Sequence, residues 1–179
     1  KDRAYDVVTR LSHLLRLGLE HGEQQMIPLS KELEFTADYL ELMAARYPDR
    51  LTCRIHTCPG TQSVLVPSLI LQPLVENAVK YSVGSNDGIT QVDVSAELDS
   101  NRLVLTITNR STGRQGAVPD EQSKSTAGFG LGLKNTHDRL RHLYGSAYEL
   151  LVSGTDTPET SMRMTIPLEP SADGARQGD

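Results

Sequence analysis

Gln72-Pro73-Leu74-Val75-Glu76-Asn77-Ala78-Val79-Lys80-Tyr81 is the stretch on which the reading of this chain turns. If it is helical, Leu74, Val75, Ala78 and Val79 can supply apolar contacts to a sheet. Glu76 and Lys80 are then one turn apart, as are Asn77 and Tyr81, so a carboxylate, an amide, an ammonium and a phenol share the opposite face. An Asn carbonyl oxygen is a hard ligand suited to Mg2+, which keeps several waters and takes further oxygens from phosphates. Lys80, one turn away, is placed to neutralise phosphate charge. The bland alternative is a solvated helix with an ordinary Glu-to-Lys pair, and this stretch alone does not choose between the two.

A second constellation lies some fifty residues on, in Gly128-Phe129-Gly130-Leu131-Gly132-Leu133-Lys134-Asn135. Glycines let main-chain N–H groups approach a ligand closely, and the start of a helix concentrates unpaired N–H donors with a partial positive charge. The combination suits a polyphosphate. Taken alone, Gly-x-Gly-x-Gly also fits a glycine-rich turn with no ligand. It is not a dinucleotide fingerprint, because an irregular segment precedes it where a strand is required, and it lacks the Gly-Lys-Ser/Thr ending of a P-loop.

Around these stretches the hydrophobic pattern predicts a helix over residues 4 to 21, striped by Val8, Leu11, Leu15 and Leu19, and a second over Ser30 to Arg46. In the second, Ser30 reads as the N-cap, Glu32 as a favourable first-turn charge, and Leu33, Ala37, Leu40, Ala44 and Tyr47 as the apolar stripe; Pro48 ends it. Strands are expected at Leu51 to Thr57, Gln91 to Leu98, Arg102 to Thr108, Tyr148 to Ser153 and Ser161 to Leu168. The second and third join at Asp99-Ser100-Asn101 as an antiparallel hairpin. Interleaved helices are expected at Leu69 to Tyr81, broken or kinked at Pro73, and at Leu131 to Tyr144, closed by Gly145. Hairpins with helices between them imply an α+β fold, a mixed sheet covered by helices on one face. Residues 110 to 128 are too long and polar for a passive connection and read as a mobile lid, and Glu169 to Asp179 as a frayed tail.

Composition narrows the function. The chain has 179 residues, 37% apolar and 23% charged, enough for one domain with an appendage and a buried core. Its net charge of −5 makes nucleic acid an unsuitable main partner, and no apolar run is long enough for a membrane span or a leader, so the expected setting is cytosolic. Cys53 and Cys58 would point to opposite faces of a strand, a poor arrangement for joint zinc ligation, and read as reduced thiols. The histidines at 21, 56, 137 and 142 show no spacing that suggests metal or nucleophilic chemistry.

The order Pro67-Ser68-Leu69-Ile70-Leu71-Gln72-Pro73-Leu74-Val75-Glu76-Asn77-Ala78, a strand hairpin, a lid and the Gly128 to Asn135 stretch closely resembles the LytS/YehU-type sensor histidine kinases, as do Arg139-Leu140 and Leu143-Tyr144-Gly145 after it. Leu11 to Arg16, Leu29 to Glu34 and Tyr39-Leu40-Glu41 resemble that family's segment between phosphoacceptor helix and ATPase domain, so the likeness covers about residues 10–168. It implies a two-layer α/β sandwich of the Bergerat (GHKL) type shared with gyrase, Hsp90 and MutL. Residues 1–47 would be the helical remnant of the dimerisation and connector region, 48–168 the ATP-binding domain, and 169–179 a flexible tail. The chain would be the cytosolic part of a membrane-anchored kinase, homodimeric at full length, passing phosphate to a response regulator.

Site roles follow from the resemblance position by position. Asn77 matches the Asn that holds Mg2+ on the ATP phosphates, Glu76 its acidic neighbour, and Lys80 with Tyr81 the pair bordering the nucleotide. Gly128, Gly130 and Gly132, with Phe129, Leu131 and Leu133 between them, match the glycine box beneath the phosphates. The family's Asp-x-Gly-x-Gly box falls on Asn109-Arg110-Ser111-Thr112-Gly113, where Asn109 and Ser111 depart from the pattern; an Asn oxygen can still accept from the adenine amino group. Thr160 is a second adenine-side candidate. The Pro-His-Phe-Leu-Phe-Asn-like phosphoacceptor box is absent from this sequence, and His13 lacks its surroundings, so the acceptor is expected outside the chain. Two alternatives remain at this level: a non-catalytic nucleotide-sensing or partner-binding module, motivated by Asn109 and Ser111, and an ATPase of the same fold.

Overall fold

The computed structural model describes residues 25–84, 88–111, 131–154 and 159–169. The expected helix at 4–21, most of the expected lid and the tail from 170 lie outside them. In chain order the elements are β1 (Met26–Pro28), α1 (Leu29–Arg46), β2 (Leu51–Thr57), β3 (Leu65–Pro67), α2 (Gln72–Gly84), β4 (Thr90–Asp99), β5 (Arg102–Ser111), α3 (Leu131–Tyr144), β6 (Glu149–Ser153) and β7 (Glu159–Pro167).

Five strands form one sheet in the order β2-β4-β5-β7-β6, and β1 pairs with β3 in a separate two-stranded ribbon. Strands β4 and β5 are the expected hairpin, with Asp99 opposite Arg102 and Ser100 turning at φ 56°. The β2–β4 pair is parallel, with Cys53 opposite Val92 and Ile55 opposite Val94, while the remaining pairs of this sheet are antiparallel. This parallel pairing was not legible in the local pattern, because it depends on the crossover through β3 and α2 rather than on either strand.

Alternation sorts the central strands into two faces. Val92, Val94 and Ala96 on β4, Leu103, Leu105 and Ile107 on β5, and Met162, Met164 and Ile166 on β7 are buried. Their cross-strand register stacks Val94, Ile107 and Met162 in one row and Ala96, Leu105 and Met164 in the next. Leu74, Val75, Ala78 and Val79 of α2, Leu133, Leu140 and Tyr144 of α3, and Leu29, Leu33 and Leu40 of α1 belong to the same core. The helices therefore pack on one side of a mixed sheet, as an α+β sandwich. Among the described residues, no helix is long and apolar enough to cross a membrane.

Two helix starts differ from expectation. Ser30 is not an N-cap: α1 begins at Leu29, after Pro28, with no side-chain cap. Its first main-chain donors are satisfied from the neighbouring loop, Leu29 N–H by the Val64 carbonyl at 2.8 Å and Ser30 N–H by that of Gln62 at 2.9 Å, so no capping hydroxyl is needed. The second helix starts at Gln72 rather than Leu69, and Pro73 does not kink it. Proline in a first turn lacks an N–H that would be unpaired anyway; Val75 N–H closes the first turn onto the Leu71 carbonyl at 3.0 Å. Leu69, at φ 56°, cannot belong to a right-handed helix. Gly145 closes α3 as expected, with φ 59° and its N–H on the Arg141 carbonyl. Replacing the wholly buried Leu105 by Ala should lower unfolding free energy by about 2–5 kcal/mol in urea titration; a loss no larger than that of an exposed Leu151→Ala would contradict the placement of the core.

Candidate nucleotide site

The first turns of α2 and α3 pack against each other. A methyl group placed at position 132 would lie 3.4 Å from Cβ of Pro73, which is van der Waals contact. Gly132 thus stands at the start of α3 directly beside the start of α2, one helical turn before Asn77. Local sequence makes the first of these starts possible, because Pro73 tolerates a first-turn position. Thr136, buried one turn further along α3, donates its hydroxyl to the Gly132 carbonyl at 3.0 Å.

Along α2, burial divides the helix as its spacing predicted. Leu74, Val75, Ala78 and Val79 face the core, Glu76 and Lys80 are exposed, and Asn77 is half-buried between the two sides. Glu76 Oε1 accepts from Gln72 Nε2 at 2.8 Å. Tyr39 of α1 lies close enough to sense Glu76: burial first, and then that carboxylate's charge, push its phenol up to about 12.

The end of β5 approaches α2 from below. Asn109 shares the row of Val92 on β4 and Thr160 on β7, and its Nδ2 donates to the Ala78 carbonyl at 3.2 Å. A carbonyl accepts only, so this bond fixes the amide with its nitrogen toward α2 and leaves Oδ1 as an acceptor. Thr160 donates its hydroxyl to the Gly154 carbonyl at 3.2 Å. Beyond them, Arg110 and Glu159 pair at 2.8 Å between exposed side chains and hold β5 and β7 in register.

Asn77, Asn109, Thr160, Gly132 and Leu133 are thus placed on α2, β5, β7 and the start of α3, elements linked by the Pro73–Gly132 and Asn109–Ala78 contacts. Tyr81 and Leu131 lie in helices, but their side chains fall outside the described residues, as do Gly113, Gly128, Phe129 and Gly130 altogether. Among the described residues, no group of three or more His, Cys, Asp or Glu side chains could hold a metal on its own. Asn77, half-buried on α2, carries a hard side-chain oxygen. Cys53 and Cys58 are free thiols, and burial pushes Cys53 up to about 11.

The turn that launches α2 is held by residues that spacing did not single out. Glu32 of α1 is fully buried, and its two oxygens accept the main-chain N–H groups of Leu69 and Leu71, each at 2.8 Å. Burial drives its carboxyl above the ordinary range, while those N–H groups, the Arg139 guanidinium and the Ile70 N–H pull it back. Arg139 of α3 donates to the Ser68 carbonyl, to Ser68 Oγ at 3.2 Å and to the Gln25 carbonyl at 3.2 Å. Leu69 sits in the left-handed region at φ 56°, a conformation costing about 1–3 kcal/mol that persists only where its surroundings impose it. A signal was present: Glu32 falls on the buried stripe of Leu29, Leu33, Thr36 and Leu40, where a solvated first-turn acid does not belong.

Comparison with known proteins identifies the family and the fold. The family described as "Histidine kinase" matches residues 1–51, and that described as "Histidine kinase-, DNA gyrase B-, and HSP90-like ATPase" matches residues 64–170. The sensor protein LytS of Staphylococcus haemolyticus is 31% identical over 163 residues, covering 89% of this chain and 28% of that protein. The sensor histidine kinase YpdA of Escherichia coli is 30% identical over 158 residues, covering 87% of this chain and 28% of its own length. The chain therefore spans little more than a quarter of these relatives. The histidine kinase domain of the blue-light activated histidine kinase of Erythrobacter litoralis superposes with a TM-score of 0.58 at 17% identity, over 94% of this chain and 76% of that one. A mycobacterial sensor histidine kinase, MprB, gives 0.52 at 19% identity, over 82% and 99%. At such identities the structures establish the fold. Asn109→Ala should remove the bond to the Ala78 carbonyl and lower unfolding free energy by about 1 kcal/mol in urea; no change would mean that the bond does not hold β5 to α2.

Proposed function

The chain belongs to the histidine kinase-, DNA gyrase B-, and HSP90-like ATPase family, and we propose that it is the Mg-ATP-binding catalytic portion of a sensor histidine kinase that passes the γ-phosphoryl group to a histidine outside this sequence. The packing of Gly132 on Pro73 carries this reading, because it sets the glycine-bearing helix start beside the turn that leads to Asn77. In this reading residues 1–47 belong to the dimerisation and connector region, 48–168 form the nucleotide domain and 169–179 a tail. A response regulator is the onward acceptor, and the full-length kinase is a membrane-anchored homodimer.

Phosphoryl transfer asks little covalent chemistry of a protein and depends on positioning and charge neutralisation. The N–H groups at the start of α3, around Gly128 to Gly132, would donate to phosphate oxygens, and Lys80 would offset their charge. Oδ1 of Asn109, freed by the Ala78 bond, would accept from the adenine amino group, with Thr160 beside it. Gly113, Phe129, Leu131, Leu133 and Tyr81 would border the nucleotide. Asn77 would hold Mg2+, which when bound would neutralise the phosphates. Glu76, exposed and partnered by Gln72, would orient or accept a proton from the incoming imidazole.

The 179-residue chain should bind a non-hydrolysable ATP analogue saturably with Mg2+, and Asn77→Ala should weaken that binding by about tenfold or more. With ATP and a second polypeptide carrying the phosphoacceptor helix, acid-labile phosphate should form on the latter. Phosphate release undiminished in the Asn77→Ala variant would refute the metal role, and no saturable binding at millimolar analogue would favour a non-catalytic module.

A further inference from the structure

Glu32 lies in the segment matched by the histidine kinase family, yet both of its oxygens are bonded to main chain inside the segment matched by the ATPase family. The bonded residues, Leu69 and Leu71, form the turn that immediately precedes Gln72, and the Leu71 carbonyl accepts the first main-chain bonds of α2. Arg139 completes the hold from α3 by gripping Ser68, just before that turn, and Gln25, just before β1. The three helices that carry Glu32, Asn77 and Gly132 are therefore joined at one turn through polar contacts as well as through the apolar core.

Such a contact differs from ordinary packing. Two N–H groups of a turn held in a left-handed conformation at Leu69 converge on one carboxylate with no exposure to water. A shift of α1 along its axis carries that carboxylate with it, so the turn must follow or lose both bonds. We propose that Glu32 is a positioning residue for the nucleotide site: from α1 it sets the turn that places Asn77, and so couples the seating of α1 to the affinity for Mg-nucleotide. The inference rests on the nucleotide reading given above. Coupling is reciprocal, so occupancy of the Asn77 site should in turn tighten the hold on the turn.

The test uses the whole 179-residue chain, a non-hydrolysable ATP analogue with Mg2+, and hydrogen exchange at the Leu69 and Leu71 amides. In the native chain the analogue should slow exchange at both amides. Glu32→Gln, which replaces one acceptor oxygen by a donor, should weaken the analogue by about tenfold and abolish that nucleotide-dependent slowing, while Glu32→Asp, which keeps both oxygens, should recover part of each. A residue that merely supports the fold would not make the exchange respond to nucleotide. Equal affinity in native and Glu32→Gln chains, or slowing that persists in the variant, overturns the coupling and leaves the nucleotide reading intact. A native chain that does not bind the analogue overturns both. If Glu32→Gln fails to unfold cooperatively, Arg139→Lys decides: it should weaken the analogue and reduce the slowing, and native behaviour in both measurements overturns the proposal.

Discussion

Two helix starts set side by side, about one methyl group apart at Pro73 and Gly132, form the constraint on which the candidate site depends. Pro73 lies in the first turn of α2 and Gly132 in that of α3, and a methyl group at position 132 would come into ordinary contact with Cβ of Pro73. Helix starts carry unpaired N–H groups and the positive end of the helix dipole, so two of them side by side require a counterpart of opposite charge or water. In the reading proposed above, the phosphates of ATP would meet that requirement. Asn77 lies one turn along α2 from Pro73.

The contact survives because both helices are anchored elsewhere. Their inner faces share one core with the rows formed by Val94, Ile107 and Met162, and by Ala96, Leu105 and Met164. Their polar anchors converge on residues 68–71, where Glu32 holds the N–H groups of Leu69 and Leu71 and Arg139 holds Ser68. Apolar packing is non-directional and tolerates sliding, whereas hydrogen bonds to a buried carboxylate fix distance and orientation. The division of labour explains why a charged residue occupies a stripe that packing alone would have filled with leucine.

Asn109 shows how a departure from a family pattern can be accommodated. Where the resemblance implies an acid, this chain has an amide that donates to the Ala78 carbonyl and whose oxygen is an acceptor. An aspartate in the same place would set its negative charge against the Ala78 carbonyl. The amide therefore serves two elements at once, tying β5 to α2 while preserving the capacity to accept.

Local pattern determined a great deal here. Alternating Val, Ile, Leu and Thr residues marked the five strands of the main sheet to within three residues at each end, since a strand's two faces are written into its period. The apolar face of α2, the end of α3 at Gly145 and the pairing of β4 with β5 were legible for the same reason: each depends on neighbours in sequence. The parallel pairing of β2 with β4, the β1–β3 ribbon, the start of α1 without a Ser30 cap and the unkinked start of α2 were not, because each is settled by groups far away along the chain. Glu32 is the clearest case. Its place on the buried stripe of its helix marks it as an acid in need of partners, but only the folded chain, by bringing the N–H groups of Leu69 and Leu71 to its two oxygens, makes it the anchor of the turn before Asn77, since bonds across 37 and 39 residues leave no local period that names those partners.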